Sequence, residues 1–395
     1  MVRGSSPCGP IGMDKSKRIG VSAREAVARA MRIIIKVGTS VATGSDNVFS
    51  SGTMGSLVRQ IASFPKEERS FIVVSSGAIA LGLRRMGIST RPTEISLLQA
   101  AAAMGQSRLM HGYEREFEAV GREIAQILLT YEDVRNRGRY LNIRNTIRTL
   151  WSYGVVPIVN ENDSVSFTEI RFGDNDAISA HLANMLDADL LIILTDTDGV
   201  YDMNPRLHAE ARPVRTVTKI TEELLSGAQG KGSSFSSGGM QSKIRAADIA
   251  IKAGVGVIIA QGETLDLRRL LSGEELGTYF VPAGRRFKGR KKWMAFNPQT
   301  EGVVVVDEGA QKAILQHGRS LLPAGVKDAK GSFKLGSVVS IQTPEGREIA
   351  RGLSNFSCDE LMRIRGLNSK RIPEVLGVDA SFEEVVHRDN LVVVV

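Results

Sequence analysis

The first two-thirds of the chain alternates short apolar runs with longer amphipathic stretches. Six runs are rich in β-branched residues and nearly free of polar side chains: Arg32–Val37, Phe71–Val74, Ile124–Leu129, Val155–Val159, Leu190–Leu194 and Val255–Ala260. Strands that are apolar on both faces are typical of a parallel sheet covered by helices. Helical patterns separate the runs at Ile95–Val120, Gly138–Ser152, Ala177–Leu186 and Gln241–Ala253. The alternation predicts an α/β fold with a mainly parallel sheet sandwiched by helices.

The pattern changes after about residue 280, where a basic segment with Gly and Pro is followed by short alternating strands. The strands are predicted at Gly302–Val306, Ser337–Gln342, Glu348–Gly352 and Leu391–Val395, and the helices at Ala310–His317 and Ser357–Ile364. We therefore expect a small, β-rich second domain. The predicted boundaries are a disordered extension (1–30), a catalytic domain (31–281), a linker (282–299), the small domain (300–380) and a C-terminal segment that closes it (381–395).

Composition and charge narrow the class of protein. The 395 residues are 42% hydrophobic and 24% charged, which is ordinary for a globular protein. No apolar run approaches the roughly 18 residues of a membrane span, so no membrane role is expected. Residues 1–30 carry +4 and the six basic side chains of residues 285–292 carry +6, so these two segments account for the whole net charge of +8 and the rest of the chain is slightly acidic. The main body therefore gives little reason to expect nucleic acid binding. Two cysteines predict free thiols in a reducing cytoplasm.

Three loops that follow predicted strands suit a phosphate group. Lys36 lies at the end of the first strand, two residues before Gly38, and Ser75–Ala78 opens a helix with hydroxyls, glycine and free N–H groups. The glycine-rich stretch Ser236–Lys243 opens another helix with a lysine in its first turn. That lysine opposes the helix dipole unless a phosphate or carboxylate offsets it. The structural alternatives are a snorkelling lysine, a plain N-cap serine and a flexible glycine linker.

Two further loops concentrate carboxylates and carboxamides. Asn160–Asp163 ends the fourth strand, and a predicted hairpin at Val165–Arg171 leads to Gly173–Asp176 at the next helix start. Solvated turns explain one such cluster easily, but two after the same strand favour a function. These loops contain no His or Cys, which disfavours acid–base or thiol chemistry. A carboxylate acceptor, with a pKa near ~4.3, needs no deprotonation.

Taken together, the loops resemble those of the amino-acid kinase family, and most closely the branch that phosphorylates glutamate. The resemblance spans residues 31–278 and rests on motifs in the family's order: Lys36–Ser40, Ser75–Ile79, Gly105–Ser107, Asn160–Asp163, Gly173–Asp176, Thr195–Asp196 and Gly238–Lys243. The C-terminal segment resembles a PUA domain through Arg319–Gly325, Gly331–Phe333 and Gly352. That resemblance implies a fold and leaves the domain's role open.

The resemblance implies a role for each matching position. It assigns catalysis to Lys36, Lys243 and Asp176, with the carboxylate holding both lysines. It assigns glutamate binding to Ser76, Gly77, Asp163, Asp174 and Asn175. It assigns ATP binding to Lys36, Thr195, Asp196, Ser237, Gly238, Gly239, Met240, Gln241, Ser242 and Lys243. It singles out no protein side chain as a metal ligand, and Mg²⁺ is expected to accompany ATP.

The implied activity is the conversion of ATP and L-glutamate to ADP and L-glutamyl 5-phosphate in the cytoplasm, as the first step of proline biosynthesis. The resemblance also implies feedback inhibition by proline and a homo-oligomer. One alternative is another amino-acid kinase, acting on acetylglutamate or aspartate. The other is an RNA-binding protein acting through the PUA-like domain, which only the basic linker favours.

Overall fold

The computed structural model describes residues 24–44, 46–165, 175–203, 205, 208, 210–227, 239–283, 293–294, 300–377 and 382–394. The chain forms two compact units. The first contains the chain up to Thr130, Asn145–Ile251 and Val255–Pro282, and the second contains Tyr131–Arg144, Lys252–Gly254 and Ala283–Val395. Within the described residues, no helix has the length and apolar character needed to cross a membrane.

The first unit is built on an eight-stranded sheet with the strand order β3-β4-β2-β1-β5-β9-β10-β8. Its strands are β1 (Arg32–Val37), β2 (Ser70–Val74), β3 (Ile124–Leu129), β4 (Val156–Glu161), β5 (Leu190–Thr195), β8 (Thr216–Val217), β9 (Gly256–Gln261) and β10 (Thr278–Phe280). All neighbours pair in parallel except β9 and β10. The predicted parallel sheet is confirmed, and β6 (Val200–Tyr201) and β7 (Pro213–Val214) form a separate small ribbon.

Helices connect these strands and cover both faces of the sheet. In the first unit they are α1 (Thr39–Thr43), α2 (Ser51–Ala62), α3 (Ala78–Arg85), α4 (Ile95–Glu118), the part of α6 (Arg137–Ser152) from Asn145 onward, α7 (Asn175–Met185), α8 (Glu222–Gly227), α9 (Met240–Lys252) and α10 (Leu267–Leu271). Helix α5 (Tyr131–Arg135) and the beginning of α6 belong to the second unit. Buried residues of α2, α4 and α10 form one core with Ile33, Ile35 and Val37 of β1. Helix α7 packs on β1 and β5 outside that core, and therefore covers the opposite face.

Two glycines allow α3 and α4 to approach each other closely. A Cβ on Gly82 would lie 1.8 Å from the carbonyl oxygen of Ala101, and one on Gly105 would lie 1.7 Å from that of Ala78. Any larger residue would force the two helices apart. The backbone of α4 at Gly105 is thereby held against the start of α3, directly after the loop that follows β2.

Residues 24–30, which were predicted to belong to a disordered extension, are ordered. Residues 24–28 are helical, and Val27 and Ala30 are buried in the first core. The guanidinium of Arg24 donates to the carbonyls of Glu274 and Leu276 at 3.1 and 3.2 Å. The predicted disorder is therefore wrong for residues 24–30, because these contacts compensate for the cost of ordering them. Residues 1–23 lie outside the described part of the chain.

The second unit contains a five-stranded sheet with the order β12-β11-β13-β14-β15. Its elements are β11 (Gly302–Val306), α11 (Glu308–His317), β12 (Val326–Gly331), β13 (Val338–Gln342), β14 (Glu348–Leu353), α12 (Cys358–Ile364), α13 (Ile372–Leu376) and β15 (Leu391–Val393). Ser357 and Glu360 form a capping box at the start of α12. The predicted small β-rich fold is confirmed. Strand β12 was not predicted, because Val326–Gly331 carries too many polar residues for an apolar pattern.

Candidate active site

The carboxyl ends of four neighbouring parallel strands, β4, β2, β1 and β5, meet at one edge of the larger sheet. Lys36 is the penultimate residue of β1, Ser75–Gly77 follow β2, Asn160 and Glu161 end β4, and Thr195 ends β5. Open α/β sheets bind their ligands at this edge. The loops identified in the sequence therefore lie where a substrate is held in such folds.

Two buried lysines share one buried carboxylate at this edge. The Nζ atom of Lys36 lies 2.8 Å from Oδ1 of Asp176, and the Nζ atom of Lys243 lies 3.4 Å from Oδ2. The hydroxyl of Ser242 donates to Oδ2 at 2.7 Å. The three charged side chains are at most 7% exposed. Two positive charges against one negative charge leave a net positive site with little solvent, which suits an anion such as phosphate.

The pKa of Asp176 reflects these contacts. Burial alone raises the pKa of a carboxyl group. The charges of Lys243 and Lys36, with hydrogen bonds from Lys36 and Ser242, outweigh burial and hold the pKa of Asp176 below its usual range. The carboxylate is therefore ionised at every pH at which the protein would work, and it holds both lysines in place.

The structure also shows which group offsets the positive charge of Lys243 at the start of its helix. Helix α9 begins at Met240, so the lysine lies in the first turn, close to the positive end of the helix dipole. Asp176 supplies the carboxylate that offsets this repulsion. Asp176 itself lies in the first turn of α7, where a negative charge is stabilised by the dipole.

Next to this charge cluster lies a cluster of neutral polar side chains around Asn175. Its Nδ2 donates to Oδ1 of Asn160 at 3.0 Å and approaches Oγ of Ser76 at 3.4 Å. Its Oδ1 accepts from the backbone N–H of Glu161 at 3.1 Å. Asn175 and Asp176 are consecutive residues, so a single peptide bond joins the neutral cluster to the lysine cluster. A substrate held by the first would have its far end beside the second.

The loop after β2 is shaped to receive an anion. Gly77 has φ of 104°, in the region that favours glycine, and caps α3. A Cβ at that position would also lie 2.7 Å from Cγ2 of Thr43. Ser75 is buried with its hydroxyl 2.9 Å from that of Tyr113, and is therefore structural. Ser76 faces the Asn175 cluster, at the N-terminal end of a helix where negative groups are stabilised.

Asp163 has an unusual environment for a loop carboxylate. Burial raises its pKa to about 6, and the nearby charge of Arg91 lowers it only in part. A partly desolvated carboxylate of this kind is stabilised by an additional positive partner. The arrangement suits binding of an ammonium group.

The residues assigned to the nucleotide are described only in part. Thr195 is buried and its hydroxyl donates to Oδ1 of Asp196 at 3.1 Å. Gly239 precedes α9, and its carbonyl oxygen lies 2.8 Å from the Ser242 hydroxyl. Met240 and Gln241 form the first residues of that helix. Asp174, Ser237, Gly238 and the predicted hairpin beyond Val165 lie outside the described residues, as do Cys8 and the basic linker from 284 to 292.

Two residues near the site were not assigned a role from the sequence. Gln106 accepts a hydrogen bond from Nδ2 of Asn160 at 2.8 Å, and Arg91 acts electrostatically on Asp163. Gln106 belongs to a motif that supported the family resemblance, so its sequence context was a usable signal. Arg91 lies in the connection between α3 and α4, and nothing in its local sequence indicates proximity to Asp163.

Two known protein families match this chain. Residues 31–261 match the amino acid kinase family, and residues 302–376 match the PUA domain. The chain belongs to the amino acid kinase family and is therefore an ATP-dependent phosphotransferase.

The full-length relatives are more specific. Over 368 residues the chain is 45% identical to the glutamate 5-kinase of Geobacter sulfurreducens, covering 93% of this chain and 98% of the relative. Over 371 residues it is 46% identical to the glutamate 5-kinase of Syntrophotalea carbinolica, covering 94% and 99%. Among solved structures, the T. acidophilum isopentenyl phosphate kinase is similar over 63% of this chain and 100% of that one, with 18% identity and a TM-score of 0.45.

Proposed function

We propose that this chain transfers the γ-phosphoryl group of ATP to the γ-carboxylate of L-glutamate, giving ADP and L-glutamyl 5-phosphate. The observation that carries the proposal is the pairing of Lys36 and Lys243 on Asp176, one residue away from the amide donor of Asn175. Such a site offers positive charge for a phosphoryl group beside neutral donors for a carboxylate. The names of the full-length relatives support glutamate as the acceptor.

The chemistry requires alignment more than acid–base catalysis. An oxygen of the γ-carboxylate attacks the γ-phosphorus, and the bond from that phosphorus to the β–γ bridging oxygen breaks, so that ADP leaves. No proton moves, because the acceptor carboxylate is already ionised. Lys36 and Lys243 would stabilise the charge on the transferring group, and preorganised charges of this kind are among the strongest catalytic effects.

The acceptor amino acid would be held by Ser76, Gly77, Asp163, Asp174 and Asn175. Asp163 would pair with the α-ammonium group, since it is a partly buried carboxylate whose ionisation is favoured by positive partners. Asn175 would donate to a carboxylate without adding a repulsive charge. Ser76 and the backbone N–H groups after Gly77 would add donors from the start of α3.

ATP would lie along Thr195, Asp196 and the 237–243 loop. Mg²⁺ would enter on the nucleotide phosphates and reduce their charge. Mg²⁺ commonly takes most of its ligands from phosphates and water.

The family resemblance also implies a physiological setting for this enzyme. The enzyme would act in the cytoplasm at the first step of proline biosynthesis, as a homo-oligomer inhibited by proline. Proline titration of the initial rate and sedimentation of the purified chain would test regulation and assembly separately.

The decisive experiment measures ADP release with and without L-glutamate and traps the acyl phosphate with hydroxylamine. Glutamate-dependent ADP release with formation of the hydroxamate is expected. A panel containing acetylglutamate and aspartate separates this activity from those of other amino-acid kinases. Turnover with one of these and none with glutamate would reject the proposed substrate.

A further inference from the structure

Gln106 lies at the end of a chain of side-chain amides whose orientation is fixed by a single backbone group. The N–H of Glu161 can only donate, and it lies 3.1 Å from the side-chain oxygen of Asn175. The Nδ2 group of Asn175 must therefore face Asn160, 3.0 Å away. Each later amide in the chain is oriented by the one before it.

The orientation of the Gln106 side-chain amide follows from that of Asn160. Because Oδ1 of Asn160 accepts from Asn175, its Nδ2 points the other way and donates to Oε1 of Gln106 at 2.8 Å. A glutamine whose oxygen is engaged in this way presents its Nε2 group at the opposite side. The chain of amides therefore ends in a donor, and a reversed amide at 106 would set two N–H groups against each other.

This terminal donor is buried and lacks an acceptor. Nε2 of Gln106 is inaccessible to solvent and has no hydrogen-bond partner among the described residues. An unsatisfied buried donor is unfavourable, and ordinary cores avoid it. Gly105, the preceding residue, is pressed against Ala78 at the start of α3. Gln106 is thus held beside the Ser76 loop by the close approach of two helices.

From this geometry we infer that Gln106 is a further substrate-binding residue, whose Nε2 donates to a carboxylate oxygen of the acceptor amino acid. The inference rests on the proposed function and adds a specificity-determining contact to it. An acceptor with two carboxylates supplies the missing hydrogen-bond partner. A site that buries an oriented donor discriminates strongly against ligands that leave it unpaired.

Two substitutions at the same position distinguish substrate binding from a structural role. Gln106→Met keeps the length of the side chain and removes both hydrogen-bonding ends. Gln106→Glu keeps an oxygen to accept from Asn160, but presents a second acceptor and a negative charge where Nε2 was. If Gln106 merely holds Asn160 in place, the glutamate variant should behave like the wild type.

The test is steady-state kinetics with each substrate varied in turn. Loss of a hydrogen bond to a charged ligand predicts a KM for glutamate raised roughly 10- to 100-fold in Gln106→Met. The increase in Gln106→Glu should be at least as large, while the KM for ATP stays within roughly threefold of wild type in both. A normal KM for glutamate in Gln106→Glu overturns the inference, whatever the methionine variant does.

Gln60→Met is the matched control, since both ends of the Gln60 amide bond the backbone around Leu265 and Leu267. It should lower the unfolding temperature and leave the KM for glutamate unchanged. If the Gln106→Met variant does not fold, the KM for glutamate of the Gln106→Glu variant decides the question alone. The wild type is measured in the same assay. If the wild type does not turn over glutamate, the proposed function is rejected. If the wild type is active and the KM for glutamate is unchanged in the variants, only the role of Gln106 is rejected.

Discussion

Lys36 and Asp176 form an ion pair of 2.8 Å in which neither side chain is more than 7% exposed. Lys243 approaches the same carboxylate from the start of α9, at 3.4 Å. One carboxylate thus orients two lysines, one from the end of β1 and one from the start of α9. The arrangement keeps the two ammonium groups near each other while leaving positive charge for a third, anionic group.

Removing either lysine should act mainly on turnover. Lys36→Ala and Lys243→Ala are each expected to lower kcat roughly 10²-fold or more, since a preorganised charge donor is typically worth ~2.7–4 kcal/mol. Lys252→Ala, at the other end of α9, is the control and should keep normal turnover. Near-normal kcat in folded Lys36 and Lys243 variants would remove both residues from the mechanism.

Asp176→Asn should destabilise the protein and make its stability depend more on ATP. Removing one partner of a buried ion pair costs roughly 3–5 kcal/mol, here because two buried ammonium groups lose their counter-charge. Bound ATP would supply that charge, so the rise in unfolding temperature on adding ATP should be larger in the variant than in the wild type. The exposed pair of Asp187 with Arg148 gives the control, Asp187→Asn, for which little change is expected. Equal ATP shifts in the two proteins would contradict the proposed contact with phosphate.

The sign of the pH dependence of Asp176 follows from its pKa. Because the folded protein lowers the pKa of this carboxyl, its contribution to stability is present above the unfolded pKa of roughly 3.9. It is lost only as the pH falls below that range. Stability between pH 6 and 8 is therefore not expected to vary through this residue.

Asp163 should control the affinity for glutamate at mildly acidic pH. Its pKa in the folded chain is raised from 3.8 to about 6, so folding favours the protonated form and the free energy of unfolding falls as the pH rises between these values. Only the ionised form pairs with an ammonium group. The kcat/KM for glutamate should therefore fall below about pH 6, a range in which the γ-carboxylate of the substrate is still ionised.

The variant Asp163→Asn tests this assignment. It should raise the KM for glutamate, leave the KM for ATP nearly unchanged, and remove the decline of kcat/KM between pH 7 and 5. A turn-stabilising role would instead lower stability and affect both substrates alike. A selective change in the KM for ATP would place Asp163 on the nucleotide side.

A chain that ends at Val281 should still phosphorylate glutamate, because every residue proposed for the site lies before that point. The truncation removes Trp293, whose ring lies 5.0 Å from the Arg137 guanidinium within the second unit. Trp293→Ala in the full-length chain controls for that contact. A folded but inactive truncated chain, with an active Trp293→Ala variant, would show that the C-terminal unit is part of the catalytic machinery.

Sequence by itself determined the central strands and the loops that end them. Runs such as Leu190–Leu194 are apolar throughout, and a strand buried on both faces requires that composition. Glycines and hydroxyl side chains after these strands identified the candidate phosphate-binding loops, because these residues are also a local feature of the sequence. Short strands such as β8 and β10 lacked a comparable pattern, because two or three residues carry too little periodicity.

Only the tertiary structure decided which polar groups meet. Lys36, Asp176 and Lys243 are far apart along the chain. The family resemblance implied that Asp176 holds both lysines, but the ion pairs themselves depend on strand order and on where α7 and α9 begin. The donor end of Gln106 depends on a succession of hydrogen bonds that starts at the backbone of Glu161. The raised pKa of Asp163 depends on burial by the folded chain. Local sequence encodes periodicity and turn chemistry, whereas electrostatic and hydrogen-bond partners are set by distances that exist only after folding.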